Sequence, residues 1–342
     1  MLDCIFIILL FSSLISLSNT LSYVNPVFSP PFDSPIIPSV IYDSTYNEYV
    51  LTLSMNGVDG YAVQILHSFS PTDWISDGWA IPKFPWLWHM DSQSFKVVPL
   101  LRTQYNNMTL LLLVFSGVHE DKRCIGYGIT KNQEFTTFSI NENPLYCSDS
   151  ISDLSPSLYQ ENSRSKVNLI WSEKELDGAT HVYKSVLRVM RGRLEMEDSS
   201  KQHILSASND WEGNSIYAPH LFNFQNKYYY LFYSGGSGAS SGIGIARAKS
   251  ISDKFVKFMR NPILLSDPNG NSTSWHAPSY PSVINTGDGI VTMFYQALSY
   301  KNRSSLLLDQ FSYTREKWFE LTPVCGTDSW DWYPSTCYHT IP

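Results

Sequence analysis

Ser215-Ile216-Tyr217-Ala218-Pro219-His220-Leu221, followed by Lys227-Tyr228-Tyr229-Tyr230-Leu231-Phe232-Tyr233-Ser234, decides how the rest of the chain is read. The first half is a short apolar run crossed by an Ala-Pro step. The second is dense in aromatic residues, which favour strands. Asn226 stands between them as turn chemistry. The pair reads as a buried strand, a tight turn and an aromatic strand ending at a serine.

Looser copies of this unit recur in both directions. An apolar run near a Pro-Ser step, a polar turn and a β run ending near serine appear at residues 38–42 with 49–54, 95–101 with 110–116, 155–159 with 167–172, and 277–284 with 290–295. After two copies the chain continues in parallel fashion. Cys124-Ile125-Gly126-Tyr127-Gly128-Ile129-Thr130 leads to Asn143-Pro144, and Gly242-Ile243-Gly244-Ile245-Ala246 leads to Asn261-Pro262. Residues 61–65, 182–186 and 306–310 hold the same place in the other copies. Five units of about four short strands describe an all-β, five-bladed β-propeller, each blade burying its faces against its neighbours. We assign it residues 23–321 as one domain. A β-sandwich or two unrelated β domains is the alternative. No Pro/Ser-rich linker divides the copies, which favours the propeller.

Composition agrees. Of 342 residues, 43% are hydrophobic, 14% aromatic and only 16% charged, which argues against disorder. The net charge of −7 offers no basic footprint for nucleic acid. Residues 1–22 read as a secretory signal, with Ile5-Phe6-Ile7-Ile8-Leu9-Leu10 at the centre and Ser16, Ser18, Asn19 and Thr20 after it, although no Lys or Arg precedes the run; an uncleaved signal anchor is the alternative. The run is shorter than the roughly 20 residues of a membrane span. No later segment is apolar enough to cross a bilayer, so the expectation is a secreted, extracellular protein; it is separately expected to be a monomer.

That destination changes how the cysteines are read. With Cys4 removed, Cys124, Cys147, Cys325 and Cys337 remain, an even number that favours disulfides in an oxidising compartment. Sequence alone leaves all three pairings open. Cys124–Cys147 and Cys325–Cys337 are favoured because each closes a short loop, the second stapling a tail over residues 322–342. Asn107, Asn271 and Asn302 each begin a glycosylation sequon. The cysteine spacings match no zinc site, and neither a metal nor a cofactor is expected.

The segment around Tyr217 resembles the part of family 43 glycoside hydrolases, and of their five-bladed propeller relatives, that carries the catalytic acid. The resemblance covers roughly residues 25–320. It implies innermost strands that begin beside a central pocket and present three carboxylates there: an aspartate base, a second aspartate that tunes the acid, and a glutamate acid. Matching the Pro-Ser and Ala-Pro steps puts these positions at Ile37, Ser155 and Tyr217, and a histidine near the axis at Tyr280. Isoleucine accepts no proton and serine carries no charge. A tyrosine, with a pKa of about 10, is a poor acid at neutral pH. The expectation is a catalytically degenerate glycosidase-like propeller that binds a glycan or another small extracellular ligand. One alternative is an active glycoside hydrolase with relocated carboxylates, Glu212 as acid and Asp33 or Asp153 as base; another is a protein-interaction propeller with a plugged axis and no concave pocket.

Two similar fragments, Trp88-His89-Met90-Asp91-Ser92 and Trp275-His276-Ala277-Pro278-Ser279, admit two readings. Their indoles can stack on sugar rings, with His89, Asp91 and His276 bonding hydroxyls, or they can pack between blades. His220 reads as a structural histidine. Trp74, Trp79, Trp86 and Trp88 form an aromatic insertion that walls a groove or covers a blade edge. Gly235-Gly236-Ser237-Gly238 reads as a flexible turn, since no helix and no phosphate-binding lysine follow it.

Overall fold

β-branched and aromatic residues crowd each predicted strand, and Asn, Gly, Asp and Pro interrupt them. A computed structural model describes residues 25–322 apart from 31–35, 45, 58–59, 82–87, 90–99, 106–107, 131–137, 150–153, 163–164, 191–192, 267–274, 286–289 and 300. Within these the chain forms five antiparallel sheets in sequence order, the blades of a β-propeller.

The first blade pairs β1 (Ile37–Asp43), β2 (Glu48–Gly57), β3 (Gly60–Ser68) and β4 (Ile75–Ile81) in that order. The second holds β5 (Trp88–His89), β6 (Leu100–Tyr105), β7 (Met108–His119), β8 (Lys122–Thr130), β9 (Ser139–Ile140) and β10 (Tyr146–Cys147); β5 and β6 pair with β7, and β9 and β10 with β8. The third holds β11 (Ser155–Tyr159), β12 (Val167–Lys174), β13 (Thr180–Met190), β14 (Arg193–Met196) and β15 (Gln202–Ser206), the last two on β13. The fourth holds β16 (Ile216–Phe224), β17 (Tyr228–Gly235), β18 (Gly242–Ala248), β19 (Val256–Lys257) and β20 (Leu264–Leu265), the last two on β18. The fifth pairs β21 (Trp275–Asn285), β22 (Val291–Ser299), β23 (Ser304–Tyr313) and β24 (Phe319–Thr322) in order.

The aromatic runs of the sequence are the second strands. Phe115, Trp171, Tyr230, Phe232, Tyr233, Phe294 and Tyr295 are among the largest fully buried side chains. These strands are covered on both faces, so their sequences read as near-continuous apolar runs. Each blade-to-blade interface carries its own core cluster. Val50 packs with Phe115, Leu112 with Trp171, Ile170 with Leu231, Phe232 with Met293, and Leu51 with Phe294, which joins the last blade back to the first. The N-terminal segment reinforces that last contact. The Val27 N–H donates to the Leu306 carbonyl at 2.9 Å, and the Asn25 side-chain amide bonds both the N–H (3.0 Å) and the C=O (3.1 Å) of Leu308.

Cys124 and Cys147 stand opposite each other on β8 and β10 and form the expected disulfide. Cys325, Cys337, Asn107, Asn271, the signal segment and residues 323–342 lie outside the described residues. Among the described residues no helix is long and apolar enough to cross a membrane.

Candidate functional site

Strand register makes the three marked positions equivalent. Ile37 lies opposite Ser54, Ser155 opposite Ser172, and Tyr217 opposite Ser234. Each stands at or beside the start of its blade's first strand, facing the serine near the end of the second. In the fifth blade Ser279 lies opposite Gln296, so Tyr280 follows one residue later.

Two of these strand starts are bulged. Between the Tyr217–Ser234 and His220–Phe232 pairs, Ala218 and Pro219 face the single residue Tyr233. Pro219 has no N–H to give to a ladder, and Ala218 takes a left-handed backbone with φ of 48°. β21 breaks register twice, with φ of 52° at Ala277 and 56° at Tyr280. Such conformations are unfavourable for residues with a Cβ and persist where the surroundings fix them. Here they bring Tyr217 and Tyr280 edge to face, with ring centroids 5.5 Å apart at 63°. Ile37 and Ala218 pack against the two rings. The Tyr280 N–H donates to Ser234 Oγ at 2.8 Å and locks the fifth blade to the fourth.

A cavity of about 440 Å³ opens beside the rings, within the usual size of small-ligand sites. Ser155, Tyr217 and Tyr280 line it, together with Ser172, Lys174 and Thr180. The turn Gly236-Ser237-Gly238 forms a further wall. Gly236 holds φ of 75°, and a Cβ there would meet the Ser240 carbonyl oxygen at 2.3 Å, so only glycine fits. Among the described residues that line the cavity none is a carboxylate. The Tyr217 phenol contacts the hydroxyls of Ser241 and Ser279; burial, then the neighbouring Tyr280, pushes its pKa well above the ordinary value. It therefore remains a neutral phenol across physiological pH. The side-chain oxygens of Ser155 and Ser172 are buried and have no hydrogen-bond partner among the described residues.

The other sequence candidates lie elsewhere. Glu212 ends a short 3-10 turn (Asp210–Glu212), is fully buried and does not line the cavity. Its carboxylate accepts from the N–H groups of Ser208 (2.7 Å) and Asn209 (2.9 Å), the Tyr233 hydroxyl (2.9 Å) and the Lys257 ammonium (2.6 Å). Trp88 is buried in the interface of the first two blades, edge-on to Phe115 at 4.8 Å, with its N–H donating to the Asn141 carbonyl. Trp275 belongs to the interface of the last two. Neither lines the cavity, and both serve blade packing. His276 bonds the Asn302 side chain at 3.0 Å on the surface. Trp74 packs on Tyr49 and Phe294, and Trp79 stays exposed on β4. His220 donates from Nε2 to the Val283 carbonyl, and burial pushes it down to about 4, so it is a neutral structural histidine. Asp33, Asp91, Asp153, Trp86 and the His89 side chain lie outside the described residues.

Sequence reading missed Ser172, Lys174, Thr180 and the wall formed by the glycine turn. Ser172 had a visible signal, since it ends an aromatic run as Ser54, Ser116 and Ser234 do. Lys174 and Thr180 flank the connection from β12 to β13, whose direction depends on the neighbouring blade and is not written locally.

No family model matches the sequence, and no curated protein matches it. Solved structures match in fold. A thermostable family-43 glycoside hydrolase superposes with a TM-score of 0.70 at 18% identity, over 88% of this chain and 96% of that one. A xylan β-1,4-xylosidase from Bacillus halodurans gives 0.68 at 15%, over 87% of this chain and 56% of the other. An exo-1,5-α-L-arabinanase from a bovine ruminal metagenomic library gives 0.60 at 16%, over 86% and 99%. At these identities the likeness is one of fold, and the chain is a five-bladed propeller built as those glycosidases are.

Proposed function

We propose that this glycosidase-like propeller binds a carbohydrate in its central cavity and leaves it intact. The reading is carried by one observation: the strand starts that converge on the hub present Ile37, Ser155 and Tyr217, and no described lining residue is a carboxylate. Glycoside hydrolysis needs two carboxyl groups about 5–10 Å apart across the bond. A phenol held neutral by burial is a poor substitute for a carboxylic acid. Glu212, the relocated acid considered above, is taken up by four donors and does not line the cavity. Hydroxyls, two tyrosine rings and a glycine wall suit a sugar, which offers hydroxyls on its rim and C–H groups on its faces. The xylosidase and arabinanase likenesses make xylose- and arabinose-containing oligosaccharides the first ligands to try.

The test is turnover on xylan, arabinan and aryl pentosides at several pH values, with wild type beside Asp33→Asn, Asp153→Asn and Glu212→Gln. The expected result is no hydrolysis by any of them. Wild-type hydrolysis overturns the proposal, and its loss in Asp33→Asn or Asp153→Asn, or in a Glu212→Gln protein shown to stay folded, supports a working enzyme with displaced carboxylates.

The same reading places the protein outside the cell, with residues 1–22 as its signal and Asn107, Asn271 and Asn302 glycosylated. The disulfide between Cys124 and Cys147 supports an oxidising compartment. N-terminal sequencing of the exported protein and a mobility shift on deglycosylation check it.

A further inference from the structure

We propose that Ser155 and Ser172 form a paired hydroxyl site that reads two adjacent hydroxyl groups of a neutral sugar. The inference rests on the reading of the cavity as a carbohydrate site and names the groups that select the ligand there. Both serines line the cavity, with only 2% and 1% of their surfaces exposed. Neither side-chain oxygen has a hydrogen-bond partner among the described residues. A buried hydroxyl left unpaired carries the full desolvation cost of the group. Both residues line one cavity wall, and a χ1 rotation to another staggered rotamer would turn each unpaired hydroxyl toward a ligand in the cavity.

The fourth blade provides the contrast. Ser234 holds the position equivalent to Ser172, and its oxygen is satisfied by the Tyr280 N–H at 2.8 Å. In the third blade no amide of a described residue reaches the Ser172 oxygen. Ser54, the first-blade equivalent, is also unpaired but does not line the cavity, so no ligand is assigned to it.

The geometry selects the ligand chemistry. Ser155 and Ser172 are direct cross-strand partners, which puts their Cβ atoms about 5 Å apart. Each hydroxyl donates once and accepts twice, as does each hydroxyl on a sugar ring. Two neighbouring ring hydroxyls can therefore complete both serines while the rest of the ring lies against Tyr217 and Tyr280. Lys174, the charged residue on this wall, is already engaged in an interaction within the protein. The pair itself bears no charge, which favours a neutral sugar over a uronate.

The probes are methyl β-xyloside, methyl α-arabinofuranoside, their 2-deoxy and 3-deoxy analogues, and methyl glucuronide, titrated calorimetrically into wild type, Ser155→Ala, Ser172→Ala and the double variant. Wild type is expected to prefer at least one neutral pentoside and to lose about tenfold in affinity for a deoxy analogue. Each alanine variant is expected to bind that pentoside about tenfold more weakly. The double variant is expected no longer to distinguish parent from deoxy sugar. Thermal melts without ligand separate this role from a structural one. Removing an unpaired buried hydroxyl leaves the melting temperature unchanged or raised, whereas a fall of several degrees means that the hydroxyls hold the fold, and overturns the inference. Unchanged pentoside affinity in the variants, or wild-type preference for the glucuronide, overturns the inference and leaves the carbohydrate reading standing. A wild type that binds none of the sugars overturns both.

Discussion

Lys257 is only 11% exposed, and its ammonium depends on the Glu212 carboxylate at 2.6 Å. Burial lowers the Lys257 pKa and the carboxylate opposes that shift. Removing one partner of a buried pair leaves an uncompensated charge, so Glu212→Gln is expected to lose about 3 kcal/mol of stability in urea unfolding. A loss near zero would mean that the pair is solvated. Asp309 is the buried acid whose effect depends on pH. The Tyr295 hydroxyl donates to it at 2.7 Å, but burial outweighs this bond and pushes the carboxyl up from 3.8 to about 7. The folded state therefore holds this proton more tightly than the unfolded chain. Its stabilising contribution is complete below about pH 4, declines as pH rises, and is lost above about pH 7. Asp309→Asn is expected to flatten the stability profile between about pH 4 and pH 7, read from denaturation midpoints; an unchanged slope would contradict the assignment. At this scale the sequence was partly legible. Pro-Ser and Ala-Pro steps mark Ile37, Ser155 and Tyr217 because strand register repeats in each blade. The Trp-His fragments were ambiguous because an indole that packs between blades and one that stacks on sugar look alike until the direction of the side chain is known.

The bulge at Ala218-Pro219 is the element that aims Tyr217. Strand existence was readable from aromatic runs and turn residues. The bulge was not, because a left-handed alanine follows from what surrounds it and not from its own preference. Ala218→Val puts a β-branched residue at φ of 48° and is expected to lose about 1–2 kcal/mol. Because the strain sits next to Tyr217, ligand affinity is expected to fall with it. Calorimetric binding together with thermal unfolding checks both; a fully stable variant with normal binding would mean that the backbone there relaxes freely.

Across the whole molecule, five interface clusters form a closed ring, and each blade depends on two neighbours. The last joint, between the fifth blade and the first, is the one that chain connectivity does not supply. Val27, Ile36 and Val40 pack there with Phe294 and Leu306, and the Asn25 side chain bonds β23 twice. Asn25→Ala is expected to lose about 1–2 kcal/mol, with hydrogen exchange at Leu306 and Leu308 rising more than in the third blade. Uniform exchange would show that the joint is held by apolar packing alone. The repeat predicted this architecture because each unit carries the same strand, turn and strand. It did not reveal the closing contact, which pairs residues nearly the full domain apart.

In the proposed function the hub is a binding site whose ligand survives. The most direct measurement incubates the protein with a xylo- or arabino-oligosaccharide that calorimetry shows to bind, then analyses the sugar by chromatography, with Tyr217→Ala as the control. Saturable binding that is lost in Tyr217→Ala is expected, with the oligosaccharide recovered at its original length. Shortened products formed by the wild type would contradict it.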